Sequence, residues 1–121
     1  MTGLTDTVER HVEGAQLLMC YGALLTPAQR ALMDLYYDED LSLHEIAEQQ
    51  GISRQGVHDI LTRSLRKLED YEARLGLVQR GSERLEALAR CLELAKRLPD
   101  GQDAETLRAA LDRLIQEEEQ S

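Results

Sequence analysis

The sequence has no Trp and no Phe, and only two Pro and two Cys, among its 121 residues. Strands favour aromatic and β-branched side chains, whereas this chain carries 22 Leu, so the composition predicts an all-α fold. Basic charge is also scarce. The 14 Lys and Arg against 23 Asp and Glu leave a formal charge of -9, which excludes a uniformly basic surface that holds a polyanion by bulk electrostatics. Any nucleic-acid contact has to be local. No apolar run approaches the roughly 18 to 20 residues that span a bilayer. The opening Met1-Thr2-Gly3-Leu4-Thr5-Asp6 shows no basic leader before an apolar stretch, so a cytoplasmic protein without membrane insertion is expected. Cys20 and Cys91 each stand alone among apolar residues, with no Cys-x-x-Cys and no nearby His pair. They are read as buried, reduced thiols, and no metal or cofactor is expected.

What is present is a series of helix start and stop signals. Thr5 and Asp6 can cap a first helix whose apolar set is Val8, Val12, Ala15, Leu18 and Met19. Thr26-Pro27-Ala28-Gln29 reads as a capping box with Pro at the first helical position, opening a helix that carries Ala28, Leu32, Leu35 and Tyr36 to about Tyr37. Ser42-Leu43-His44-Glu45 repeats the box and opens a short helix through Ile46 and Ala47 that stops at Gly51. Ser53 then caps another helix at once. A helix, a glycine-bearing turn and a longer helix make a helix-turn-helix, centred on about residues 43–67.

Along the helix after Ser53, successive residues lie 100° apart. Val57, Ile60, Leu61, Ser64, Leu65, Leu68, Tyr71 and Leu75 fall on one arc, and Gln55, His58, Asp59, Thr62, Arg63 and Arg66 on the other. Positions 57, 61, 64, 68, 71 and 75 alternate by four and three, as a coiled-coil seam does, so this helix is expected to reach Gly76. Residues 77–121 then form a helical hairpin around the break Pro99-Asp100-Gly101, with Leu85, Leu88, Leu92, Ala95 and Leu98 before it and Leu107, Leu111, Leu114 and Ile115 after. The final Glu117-Glu118-Glu119 run is expected to fray into solvent. Residues 1–76 are thus read as the helix-turn-helix domain. The seam and the hairpin either complete one protomer's core or build a homodimer.

Charge sign changes along the motif. From Arg54 to Lys67 there are four cations (Arg54, Arg63, Arg66, Lys67) and one acid, Asp59; from Asp34 to Glu48 there are six acids and no Lys or Arg. Only the later helix suits phosphate. A recognition helix also needs a free N-terminus and long polar side chains in its first turns. Arg54, Gln55, His58 and Asp59 occupy those turns, Ser53 is placed to touch phosphate, and Thr62, Arg63 and Arg66 continue the face. Arginine reads guanine O6 and N7, glutamine reads adenine N6 and N7, and a carboxylate accepts from cytosine N4 while repelling phosphate. His11, His44 and His58 fall in different helices, and no phosphate loop, paired-carboxylate site or nucleophile elbow is found, so no enzyme is expected.

The stretches Leu25-Thr26-Pro27, Gln29-Arg30, Leu35-Tyr36-Tyr37, Leu41-Ser42-Leu43-His44-Glu45-Ile46-Ala47, Gly51-Ile52-Ser53-Arg54-Gln55 and Leu65-Arg66-Lys67-Leu68-Glu69 resemble the helix-turn-helix of sigma factor region four. With the continuation Leu68-Glu69-Asp70-Tyr71-Glu72, then Leu75-Gly76-Leu77, the chain more closely resembles the YlxM-like family, as far as about Arg80. That resemblance implies a sigma-type binder of double-stranded DNA with a regulatory role, its contacts at the positions matching Arg54, Gln55, His58 and Asp59. It also implies an association with the signal recognition particle pathway, whose GTPase or RNA is the alternative partner.

Overall fold

A computed structural model describes residues 4–120, with side chains from Val8 onward. The described residues form six α-helices and no strand: α1 (Leu4–Tyr21), α2 (Pro27–Tyr37), α3 (Leu43–Gln50), α4 (Arg54–Leu75), α5 (Leu77–Lys96) and α6 (Gln102–Glu119), with a single 3-10 turn at Gly22–Leu24. The fold is all-α. It separates into two compact units, residues 1–76 and 77–121.

The helix starts follow from local side-chain chemistry. Thr26 accepts from the Gln29 amide at 3.2 Å while the Gln29 side chain accepts from the Thr26 amide at 3.1 Å, and Pro27 occupies the first helical position. Ser42 and Glu45 make the same reciprocal pair, at 3.1 and 2.8 Å. The Ser42 amide and hydroxyl hold the Glu45 carboxyl below its ordinary range. Glu45 therefore contributes fully above that range, and the contribution is lost as pH falls through its lowered pKa. α1 is already helical at Leu4, where the described residues begin, so Thr5 and Asp6 lie inside it, and their side chains fall outside the described set.

The first unit is built around α4, which packs against α1, α2 and α3. Val57, Leu61, Ser64 and Leu68 are its buried stripe, facing Leu18, Tyr21, Leu32, Met33 and Ile46 among others. Ser64 is wholly buried, and its hydroxyl is satisfied by donating to the Ile60 carbonyl at 2.7 Å. The seam that begins at Val57 is therefore used inside the protomer, and only its end, Leu75, is left 44% exposed. Towards that end the Tyr21 hydroxyl donates to the Glu72 carboxylate, and the Tyr21 and Tyr71 rings lie 5.9 Å apart.

α1 buries only part of the apolar set that its sequence predicts: Leu18 is buried and Ala15 half-buried, but Val8, Val12 and Met19 are exposed, and the inward face is His11, Gly14, Leu18 and Tyr21. The reason is a close approach at Gly14: the Tyr37 ring occupies the place a Cβ there would take. His11 sits beside it, 4.8 Å from the Tyr37 ring and 5.4 Å from that of Tyr36, and its Nε2 is 3.1 Å from the Asp40 carboxylate. Asp40 adopts a left-handed backbone, φ 55°, between α2 and α3. In α2, Leu32 is buried and Leu35 and Tyr36 are half-buried as the pattern predicts, whereas Ala28 is exposed and Met33 joins the core, fully buried.

In the second unit α5 and α6 pair as a hairpin in which Ala95, Ala104 and Leu111 are buried. Arg108 holds its turn: the guanidinium donates to the carbonyls of Ala95 (3.0 Å) and Leu98 (2.8 Å) and to the Asp100 carboxylate (3.2 Å). The Ala95 carbonyl also accepts from the Leu98 amide at 3.2 Å, so the guanidinium ties the last turn of α5 to the segment that follows it. The acidic tail is not frayed as expected. α6 runs to Glu119, and Glu118 accepts two bonds from Arg84, at 3.1 and 3.2 Å, an ion pair that raises the Arg84 pKa. Neither cysteine is buried: Cys20 and Cys91 are both exposed free thiols, because the inward turn of α1 passes to Tyr21 and that of α5 to Ala95. Partial desolvation and the Glu72 carboxylate, opposed in part by the neighbouring Tyr21 hydroxyl, hold the Cys20 thiol above its ordinary pKa, which keeps it protonated at neutral pH.

Gly14→Ala tests the α1 packing. A glycine in a helix interior is ordinarily worse than alanine by about 1 kcal/mol. Here the added methyl meets the Tyr37 ring, so the variant is expected to lose about 1–3 kcal/mol in urea unfolding. A gain in stability would show that the ring moves aside at no cost.

Candidate nucleic-acid interface

The end of α3 and the start of α4 are set by backbone geometry over three residues. Gly51 takes a left-handed conformation, φ 70°, and the amides of Gly51 and Ile52 both donate to the Ala47 carbonyl, at 2.9 and 3.2 Å. This double closure ends α3 and turns the chain. Ser53 is extended (φ -75°, ψ 156°), and its hydroxyl accepts from the Gly56 amide at 2.9 Å. Ser53 is thus a cap, and its oxygen is engaged before any ligand arrives. The first two amides of α4, those of Arg54 and Gln55, have no acceptor in the helix ladder and face outward at its positive end.

Arg54, Gln55, His58, Asp59, Arg63 and Arg66 are exposed on one face of α4, with Thr62 half-buried among them and Lys67 half-buried at the edge. Arg54, Gln55 and His58 come together with Leu43 of α3 around a shallow depression of about 390 Å³. Arg63 and Arg66 do not join them: at 1.5 Å per residue, Arg66 lies about 18 Å along the helix from Arg54. Among the described residues, none of Arg54, Arg63, Arg66 and Lys67 pairs with a carboxylate. The four cations therefore stand unneutralised on a chain that is acidic elsewhere.

One contact was not anticipated. The Gln55 amide donates to the Asp59 carboxylate at 2.9 Å, and His58 Nδ1 lies 3.7 Å from the same oxygen. The spacing of four residues was visible in the sequence and carries the geometry, since such positions are neighbours on a helix. Asp59 is therefore a clamp on Gln55 as well as a repulsive charge. The bond fixes which way the amide points: one N–H goes to Asp59, leaving the other N–H and the carbonyl oxygen of Gln55 presented outward. Leu43, at the lip of the depression, carried no signal beyond its place in the capping box.

The other histidines are each placed apart, His11 beside Asp40 and His44 3.4 Å from Glu48. Among the described residues, no group of three His, Cys, Asp or Glu side chains is placed to hold a metal ion. No helix there is long and apolar enough to cross a membrane.

A short helix, a three-residue turn closed by glycine and a capped longer helix with its first turns exposed define a helix-turn-helix protein. Comparison with known proteins gives the family. The family described as "Putative helix-turn-helix protein, YlxM / p13 like" matches residues 8–107, which continues past Arg80 and the hairpin turn. A UPF0122 protein of Desulforamulus reducens is 45% identical over 87 residues, spanning 72% of this chain and 74% of its own. One from Geobacillus kaustophilus is 46% identical over 97 residues, 80% of this chain and 86% of the relative. One from Bacillus licheniformis is 40% identical over 109 residues, 89% and 98% of the two chains. The chain belongs to the YlxM / p13-like helix-turn-helix family.

Asp59→Ala is expected to release the Gln55 amide. In NMR spectra the Gln55 side-chain N–H pair should move toward free-amide positions, with a loss of only about 0.2–0.5 kcal/mol in stability. Unchanged Gln55 resonances would show that the clamp is absent in solution.

Proposed function

We propose that this chain is a regulatory, non-catalytic protein of the cytoplasm that binds double-stranded DNA with α4 as its recognition helix. The observation that carries the reading is the start of α4. Two outward amides, Arg54 and the clamped Gln55 meet around one depression on the only stretch of the motif with a cationic excess. In a major groove, Arg54 suits guanine, and Gln55, with one N–H and its carbonyl free, suits adenine. His58 lies beside them, and Thr62 forms the middle of the face. Arg63, Arg66 and Lys67 lie further along and suit phosphate, which positions the helix without reading sequence. With so few phosphate contacts, two copies presenting two recognition helices to half-sites about 34 Å apart would bind far better than one.

A second reading is kept for one observation, the six acids and no Lys or Arg between Asp34 and Glu48. That surface suits a protein partner with a basic face. Through the YlxM-like resemblance, the partner in this reading is the GTPase of the signal recognition particle. The particle's RNA would instead need the cations of α4.

Fluorescence anisotropy against a random duplex pool, the particle's RNA and its GTPase, across a salt series, tests both. Arg54→Ala with Gln55→Ala should cost about 1–3 kcal/mol on a selected sequence and relax base preference. Lys67→Ala should weaken all duplexes alike and reduce the salt slope by about 1. Equal, sequence-blind losses from both variants would remove base readout. No duplex binding, with affinity retained for the GTPase, would establish the second reading.

A further inference from the structure

The α5–α6 hairpin leaves a second apolar stripe uncovered beside the one it buries. Leu94 and Leu98, 57% and 45% exposed, continue from Cys91 along α5 and its turn; Leu107 and Leu114, 43% and 46% exposed, flank Leu111 on α6. The spacings 91, 94, 98 and 107, 111, 114 alternate three and four, so each helix presents a coiled-coil-type seam, and the two seams lie side by side. Between them runs an apolar groove of about 330 Å³, with Cys91 at its edge, and a second depression of about 440 Å³ follows at Leu114. Contiguous apolar surface of this kind marks an interaction site.

We propose that this groove is filled by the same hairpin of a second copy of the chain, giving a four-helix bundle about a twofold axis parallel to the helices. Charge selects that occupant. α5 carries four Lys and Arg against three Glu, whereas α6 carries two Arg against six Asp and Glu. A twofold axis parallel to the helices lays α5 of each copy antiparallel on α6 of the other, the less acidic helix on the acidic one, at both contacts. The alternative, with the axis across the helices, sets α6 on α6 and brings Asp103 opposite the Glu117-Glu118 end of its twin, which is repulsive. A single amphipathic helix of either sign would complement only one side of the groove, whereas a second hairpin complements both. Coiled-coil spacing on both helices suits the shallow crossing angle of such bundles. The biological use of the dimer rests on the two-copy DNA reading above; its geometry does not.

Sedimentation equilibrium of the full chain without DNA tests the surface. The expected mass is twice 13.7 kDa at micromolar concentration. Leu94→Glu with Leu107→Glu should raise the dissociation constant at least a hundredfold and give the single-chain mass with helical circular dichroism retained, since both side chains are exposed. Leu94→Ser with Leu107→Ser is the milder pair, to be read the same way if the first loses helicity. A wild-type chain that stays at 13.7 kDa through the high-micromolar range, or a dimer indifferent to both pairs, overturns the proposal. Because this readout contains no DNA, a dimer that binds no duplex would count against the DNA reading alone. A monomer that binds duplex would count against this surface alone.

Discussion

The closure of α1, α2 and α3 over one stripe of α4 is the constraint on which the rest of the first unit depends. Val57, Leu61, Ser64 and Leu68 are buried together. A helix held by positions at three- and four-residue spacing has no rotational freedom: a shift by one residue would turn its faces by 100°. Burying that stripe therefore fixes, with no further interaction, that Gln55, His58 and Thr62 lie on the opposite side. Ser64 belongs to the same logic. Its hydroxyl bonds to its own helix, so a small residue lets the neighbouring helices approach without leaving a polar atom unsatisfied.

How much of this was legible in the sequence depends on how far apart the interacting residues are. The caps at Thr26, Ser42 and Ser53 involve partners three residues away, and the two faces of α4 follow from a single period, so both could be read directly. The Gln55–Asp59 clamp is equally local, but an Asp59 carboxylate read as an acceptor toward a base leaves its bond to Gln55, four residues earlier on the same helix, out of account. The face of α1 could not be read. It is decided by Tyr37, 23 positions beyond Gly14, and hydrophobicity alone prefers Val8 and Val12 to a glycine and a histidine. The exposed cysteines and the ordered Glu118 failed for the same reason: the first depends on helix phase within a packed unit, the second on Arg84, 34 positions earlier.

The electrostatic pattern is a matter of placement more than of amount. The chain is acidic at -9, yet Arg54, Arg63, Arg66 and Lys67 of α4 pair with no carboxylate among the described residues, while Arg84, Lys96 and Arg108 of α5 and α6 are drawn into local work. Arg84 holds Glu118, and Arg108 closes a turn. Two units of similar composition thus use arginine in opposite ways. One presents it to solvent at a helix start; the other uses it to lock a hairpin too small to bury more than a few side chains.

The three N-caps between Thr26 and Ser53 also bear on how the first unit is reached from the unfolded chain. Each helix start is encoded within four consecutive residues, and each cap can form before any tertiary contact exists. The costly step in making a helix is the first turn, and these caps lower it at the three points where the chain must change direction. The connections are short, and the search reduces to docking helices whose starts, for α2, α3 and α4, are already bounded. A chain organised in this way is expected among fast folders, with relaxation in the microsecond to millisecond range typical of helical domains.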